Sequence, residues 1–426
     1  MNSTWPLDTI WWHVYPLGFT GAERSLADAS PDPVPRLSQL EEWLDYIVTL
    51  GANGLLLGPI FRAATHGYDT LDHFAVDPRL GTTETFCHLA AACRNKGVRV
   101  VLDGVFNHVS RDHEIVVRAL QAGPDSEAGR WIRWSGTYPV YFEGHDHLVE
   151  LNLSEPAVAD YVTRVILHWT EIGADGWRFD AAYAPGAEAW RPITQAVLAH
   201  HPDLWLLGEV IHGDYADFVA ASGMDTVTQY ELWKAVWSSL ETENFWELDH
   251  ALGRHRAMLT HFVPYTFVGN HDTTRIASQL TDDRHIDHAV ALLALLPGIP
   301  AVYAGDEQAF TGVKTESASG DDAVRPPFPA GPWDLLPFGR SVYELHQRLF
   351  ALRRRNRWLW TASVATRELE NQYVVVELTG RDGERLDLAL NLSDEPYPLP
   401  IGTVVEASDL AASTVPPHGW AVVAPH

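Results

Sequence analysis

Cysteine is almost missing: the 426 residues hold only 2, Cys87 and Cys93. Six positions apart on one expected helix, they point in different directions, which excludes a disulfide framework and a cysteine-based zinc site. Basic residues are also scarce. Lys and Arg number 30 against 56 Asp and Glu, a formal charge of −26 at pH 7. That balance argues against nucleic acid or an anionic membrane as a partner and suits a neutral or cationic ligand. No apolar run reaches the roughly 18 residues of a membrane span. The opening Met1-Asn2-Ser3-Thr4-Trp5-Pro6 has no basic stretch before an apolar one, so no signal peptide is expected and the sequence reads as cytoplasmic. Neither an internal repeat nor a low-complexity tract is present.

What is present is ordinary globular composition, 46% hydrophobic and 20% charged, with a surplus of 17 Trp beside 14 Tyr and 15 Phe. Such a surplus either packs a core or stacks on the apolar faces of sugar rings. Short apolar runs alternate with amphipathic helical stretches, which argues for a parallel sheet with crossover helices. Candidate strands are Thr9–Tyr15, Gly54–Leu57, Val98–Leu102, Asp175–Phe179, Leu204–Gly208, Thr226–Gln229, Tyr265–Val268 and Ile299–Tyr303. Eight is the number that closes a barrel. Leu37, Leu40, Trp43, Leu44, Ile47 and Leu50 recur at helical spacing before Gly51; Phe86, Leu89, Ala90 and Cys93 do so before Gly97; and Ser154-Glu155-Pro156 opens a further helix.

The expected fold is therefore α/β: a (β/α)8 TIM barrel over 1–357, with an inserted subdomain after the third strand at about 108–150. A Gly- and Pro-rich segment, Thr311 to Trp333, follows the last barrel strand as a loop, because helical pattern resumes at Val342 to Leu352. Beyond Trp358 the runs Tyr373–Leu378, Leu386–Leu392 and Trp420–Val423, separated by turns such as Arg381-Asp382-Gly383, predict a small C-terminal β-sandwich domain over 358–426.

Four predicted strands end in acidic residues: Asp103 in Asp103-Gly104-Val105-Phe106-Asn107-His108, Asp180 after Gly176-Trp177-Arg178-Phe179, Glu209 after Gly208, and Asp272 in Asn270-His271-Asp272. A carboxylate at the end of an apolar strand is costly unless it emerges into a pocket. The C-terminal rim of a barrel is such a pocket, and four carboxylates from separate strands would converge there.

With these motifs the chain resembles the α-amylase family of retaining glycoside hydrolases. Further matches are Gly67-Tyr68-Asp69, Asp77-Pro78 with Gly81, Leu151-Asn152, and the segment Gly298 to Glu307, all in family order. The neopullulanase and cyclomaltodextrinase branch is the nearest in likeness, from Pro59-Ile60-Phe61-Arg62 and Gly208-Glu209-Val210-Ile211-His212. The resemblance implies Asp180 as nucleophile, Glu209 as general acid/base and Asp272 as a third carboxylate that holds sugar hydroxyls. Retaining hydrolysis needs two such carboxyl groups about 5–5.5 Å apart. Arg178, two residues before Asp180, is expected to lower the pKa of the nucleophile. His108 and His271 are implied as hydrogen-bond donors to the sugar, Tyr68 as its aromatic platform, and Asp103 as the support of Arg178. Asp69 and Arg325 form a pocket-closing ion pair in relatives that act on chain ends; Asp321 to Pro326 matches that family segment only loosely, so the same pair stands here beside a solvated loop as the alternative.

The chemistry requires no cofactor and no metal. Asn107 contacts calcium in some relatives, but no Asp-rich loop here completes an evident Ca2+ site. The branch usually carries an N-terminal β domain that helps it dimerise, whereas here the barrel begins within ten residues of Met1. Glu150 stands where the branch usually has Lys, and Ala181 where many α-1,6-specific relatives have Val, which favours α-1,4 cleavage. The implied activity is hydrolysis of short α-glucans by an oligosaccharide-binding enzyme. Two alternatives are a transglycosylase using the same intermediate and a non-catalytic carbohydrate-binding protein on the same fold.

Overall fold

Alternation along Trp11–Val14 (β1) sets the plan of the molecule. Successive strand side chains face opposite sides. Trp11 joins an inner cluster with Leu56, Val101, Trp205, Leu207 and Phe267, whereas Trp12 and Val14 join the outer core shared with the helices. The inner floor is aromatic: the rings of Trp11 and Trp205 stack at 5.0 Å. Gly54 makes room for this, since an added Cβ there would lie 2.4 Å from the Trp11 ring.

The computed structural model describes residues 4–317 and 320–426. Seven more barrel strands follow β1: Gly54–Leu57 (β2), Arg99–Gly104 (β3), Gly176–Phe179 (β4), Trp205–Gly208 (β5), Thr226–Val227 (β6), Tyr265–Phe267 (β7) and Ile299–Tyr303 (β8). The sheet order is β6-β5-β4-β3-β2-β1-β8-β7. A parallel bridge between Thr228 and Tyr265 joins its two ends, giving the expected (β/α)8 barrel. Helices cover the outside, among them Thr83–Asn95, Pro156–Ile172 and Arg340–Arg355. The stretch expected as one helix before Gly51 begins instead as a 3-10 helix, Arg36–Trp43, and becomes α-helical only at Leu44–Leu50. Its buried residues Leu37, Leu40 and Trp43 recur every third position, the repeat of the tighter helix. Gly51, at φ 104°, ends it in the left-handed conformation.

After β3 the chain leaves the barrel. His108–Ser110 pairs antiparallel with Leu148–Glu150, and Glu114–Ala122 forms a short helix between them. Thr311 to Trp333 holds only the 3-10 turn Asp322–Val324 and the start of a second at Pro332; Ala318 and Ser319 lie outside the described residues. At the C-terminus, Ser363–Leu369 (β9), Tyr373–Thr379 (β10), Arg385–Asn391 (β11), Thr403–Ala407 (β12) and Trp420–Ala424 (β13) form an antiparallel sheet in the order β9-β10-β11-β13-β12. The sequence shows the three central strands. It misses β9 and β12, which are the two edges; each carries a register shift and charged residues that break the apolar alternation.

Behind β8, Asp306 and Glu307 are buried. Burial pushes the Asp306 carboxyl up to about 6, with Arg275 at 2.7 Å opposing, and Glu307 up to about 7. The folded state therefore holds these protons more tightly than the unfolded chain. The stability they contribute is complete below the ordinary carboxylate range and is lost as pH rises through about 7. Thermal melts between pH 5 and pH 8 should show the Tm falling over this window, and Glu307→Gln should flatten that fall.

Candidate active site

The inward positions at the C-terminal ends of the strands differ from those below them. On β3 the inner column runs from Val101 to Asp103; on β4 it ends in Arg178 and then Asp180; on β5 it runs Trp205, Leu207, Glu209. The apolar floor thus gives way to four ionisable groups at the rim. Phe179 and Gly208 are register partners, which makes Asp180 and Glu209 neighbours across β4 and β5. Adjacent strands lie about 4.8 Å apart, a spacing compatible with the carboxyl separation of retaining glycosidases.

Arg178 ties the group together. Its Nη1 donates to Asp103 Oδ1 and Oδ2 at 2.7 and 2.6 Å and to Asp180 Oδ1 at 3.2 Å, while its Nη2 lies 2.7 Å from Glu209 Oε1. One guanidinium therefore touches both carboxyl groups of the pair. Burial opposes its charge, but the carboxylates of Asp103, Glu209 and Asp180 outweigh burial and hold its pKa well above the usual value. Glu209 Oε2 accepts from the backbone N–H of Ala181 at 2.9 Å. Ala181 sits at φ 46°, an uncommon conformation for a residue with a Cβ, next to Asp180.

One electrostatic expectation is corrected. Arg178 does not bring Asp180 below the ordinary carboxylate range: burial, followed by the charge of Glu209, pushes Asp180 well above it, and Arg178 offsets only part of this. Asp272 behaves oppositely. Burial resists its ionisation, but His271, at 3.0 Å, and then Arg325 hold it well below the usual range.

The histidines and Tyr68 gather at the same rim. His108 Nδ1 faces the Asn107 side-chain amide at 3.2 Å, so Nε2 carries the hydrogen and points toward Asp180 Oδ2, 3.9 Å away. Burial lowers the His108 pKa to about 3, leaving it a neutral donor. Asn107 thus orients a histidine in this structure. The Tyr68 hydroxyl donates to Asp103 Oδ2 at 3.2 Å and contacts His271 Nε2, and its ring lies parallel to His271 with centroids 5.4 Å apart.

The expected pair of Asp69 and Arg325 is not formed. Asp69 is buried and accepts from Thr65 N and Oγ1 at 3.0 and 2.6 Å, fixing the turn that presents Tyr68. Arg325 does reach the site, but it donates to Asp272 Oδ1 at 2.7 Å and to the His271 carbonyl at 2.9 Å, with Asp321 at 3.0 Å. Its guanidinium also lies 4.5 Å over the Tyr15 ring. Replacing Arg325 by Ala should free Asp272 and lower kcat/KM on maltotriose by about 10–100-fold, the worth of a lost charge-assisted contact. Steady-state kinetics would check it.

Tyr68, His108, Asp180, Glu209, Asp272 and Arg325 line a cleft of about 1370 Å3, whereas Asp69, Asp103, Arg178 and His271 are buried and do not line it. Its walls include residues the sequence reading missed. The Tyr230 hydroxyl donates to Glu209 Oε1 at 3.1 Å and accepts from the Asn270 amide at 2.8 Å. Phe142 stacks on His108 at 4.3 Å, and Glu143 accepts from the Tyr183 hydroxyl at 2.7 Å. Tyr230 had a usable signal, since it directly follows the sixth candidate strand, Thr226–Gln229, at its C-terminal end. Phe142 belongs to the run of aromatics in the insertion after the third strand, which is expected at the active-site end, but no local pattern marks Glu143. The tryptophan surplus does not serve the cleft: among the described residues its aromatic lining is Tyr15, Tyr68, Phe142, Tyr183 and Tyr230, whereas eight Trp are fully buried. Glu150, also buried, is 2.7 Å from Arg133.

Paired carboxyl groups under one guanidinium, at the open end of a parallel barrel, can attack a glycosidic carbon and protonate its oxygen. Comparison with known proteins agrees. The alpha-amylase catalytic-domain family matches residues 22–139 and 131–328, and the chain belongs to that family of glycoside hydrolases. It is 29% identical to a cyclomaltodextrinase of Geobacillus thermopakistaniensis over 99% of this chain and 77% of the relative. It is 27% identical to an intracellular maltogenic amylase of Bacillus subtilis over 84% of this chain, spanning only 63% of that protein. Among solved structures, the cyclic alpha-maltosyl-(1→6)-maltose hydrolase of Arthrobacter globiformis in complex with that cyclic sugar matches with a TM-score of 0.79, 26% identity and 99% of each chain covered.

Proposed function

We propose that this chain is a retaining α-glycosidase that hydrolyses α-glucosidic bonds, α-1,4 in preference, of short α-glucans such as maltooligosaccharides. The observation that carries the reading is the single guanidinium of Arg178 bridging Asp180 and Glu209 on neighbouring strands. The substrate class rests on relatives named cyclomaltodextrinase and maltogenic amylase, and on the solved hydrolase holding a cyclic maltosyl sugar. A cleft of about 1370 Å3 exceeds what one sugar ring fills and suits an oligosaccharide.

In the first step the Asp180 carboxylate attacks the anomeric carbon while Glu209 gives its proton to the departing oxygen, leaving a glycosyl ester on Asp180 and a free hydroxyl on the leaving sugar. In the second step Glu209 takes a proton from water, the resulting hydroxide attacks the same carbon, and Asp180 leaves as a carboxylate. Two inversions return the α-anomer. Asp272, held anionic, accepts hydroxyls of the bound sugar, and His108 donates to it. Tyr68 offers its ring beside the sugar, while the buried His271 holds Tyr68 and Asp272 in place. The barrel, taken over 1–357, carries all of these groups; the domain from 358 onward carries none. No helix of the described residues is long and apolar enough to cross a membrane, and the relative named intracellular supports a cytoplasmic location.

A panel of maltose, maltotriose, isomaltose, trehalose, sucrose, cyclodextrin and pullulan tests the reading. Glucose and maltose from maltotriose, with the α-anomer first in proton NMR, are expected. Longer or rearranged products would make the chain a transglycosylase, and no turnover on any member would overturn the enzymatic reading.

A further inference from the structure

Far from the cleft, two histidines meet where the barrel touches the C-terminal sheet. His285 lies in the turn before the helix Ile286–Leu295, and His418 in the turn before β13. His285 Nε2 and His418 Nδ1 are 3.0 Å apart. The Oδ2 atom of Asp282 lies 4.0 Å from the first and 3.9 Å from the second. The three side chains are 2%, 7% and 27% exposed, so the group is shielded but reachable through Asp282.

The outer nitrogens decide what this arrangement needs. His418 Nε2 faces the carboxylate of Asp394 at 2.9 Å, a group that only accepts, so that nitrogen carries the ring hydrogen. A neutral imidazole has one N–H. His418 Nδ1 therefore presents its lone pair to His285 Nε2 across 3.0 Å, with the Asp282 carboxylate beside both rings. A hydrogen on His285 Nε2 would close this contact as a hydrogen bond, whereas with that hydrogen on Nδ1 the two nitrogens and the carboxylate oxygen face one point that a metal ion can fill. The surrounding charge points the same way. Three acidic groups, Asp282, Asp394 and Glu243, act on the single guanidinium of Arg284, which donates to both oxygens of Asp282, Oδ2 included.

We propose that Asp282, His285 and His418 form a divalent transition-metal site, suited to zinc, that clips the C-terminal domain to the barrel. Two imidazole nitrogens and one carboxylate oxygen are zinc-type rather than calcium-type ligands. The outer acceptor Asp394 fixes the His418 ring in the tautomer a metal requires. His418 sits at φ 50°, so the turn is held in an uncommon conformation that aims its ring at the barrel. None of the three residues lines the cleft that holds Asp180 and Glu209, and the site serves stability rather than turnover.

Chelator-treated, dialysed full-length protein would be titrated with Zn2+ by calorimetry and with Co2+ by visible absorption. One equivalent should bind, cobalt should develop the bands of a low-symmetry site with nitrogen ligands, and saturating zinc should raise Tm by a few degrees. His418→Asn, whose new residue tolerates the left-handed backbone, should weaken binding by at least about tenfold, as should His285→Gln. Asp394→Asn, which touches no metal, should weaken it by about tenfold through loss of ring orientation. Turnover of maltotriose should be equal with and without zinc. Absence of a saturable site, or unchanged affinity in both histidine variants, would overturn the proposal. So would nitrogen NMR showing an imidazolium in metal-rich wild-type protein, since a proton would then be the bridging cation.

Discussion

Glu209→Gln is expected to lower kcat on maltotriose by about 10²–10⁴-fold, the usual worth of a positioned general acid. The amide keeps the shape of the side chain and its oxygen still faces the Ala181 N–H, but it has no proton to give. The loss should depend on the leaving group. An aryl α-glucoside departs without protonation, so its first step should survive, and a burst of the phenol should precede a slow second step in which no base activates water. Azide, which needs no base, should then restore turnover. A loss equal on both substrates and unmoved by azide would place the acid/base elsewhere.

The second large effect belongs to Asp180. Asp180→Ala should cost at least about 10⁴-fold in kcat on natural and activated substrates alike, because no covalent intermediate can form. The fold should not suffer. Burial and the charge of Glu209 hold this carboxyl well above its ordinary range, so its ionised form weakens the folded state, fully so once the pH exceeds that raised value. Removing it leaves Arg178 paired with Asp103 and Glu209. Thermal melts at pH 8 should therefore give a Tm equal to or above that of the unchanged protein. A markedly lower Tm would show that Asp180 is a structural partner of Arg178 rather than a destabilising functional group.

The barrel was legible because its strands are short, apolar and bounded, and their inward positions end in carboxylates. A period of two carries Asp103, Arg178, Asp180 and Glu209 to the inside once Trp11, Val101, Trp205 and Leu207 are there. What was not legible depends on contacts between distant segments. Arg325 arrives from a loop with no period, and its partner proved to be Asp272 rather than Asp69. The direction of the Asp180 shift also escaped, because sequence shows the neighbouring arginine but not the burial or the Glu209 carboxylate across the strand. The edge strands β9 and β12 hid behind charged residues, and His285 and His418 are brought together only by docking of the C-terminal sheet.

The central claim concerns which atom receives the sugar. Glu209→Gln protein, incubated with an α-glucosyl fluoride and digested at low pH, should yield one glycosylated peptide by mass spectrometry, and fragmentation should place the added hexose on Asp180. Labelling of Asp272 or Asp103 instead, or a turning-over enzyme that releases the β-anomer without ever carrying a label, would contradict the account.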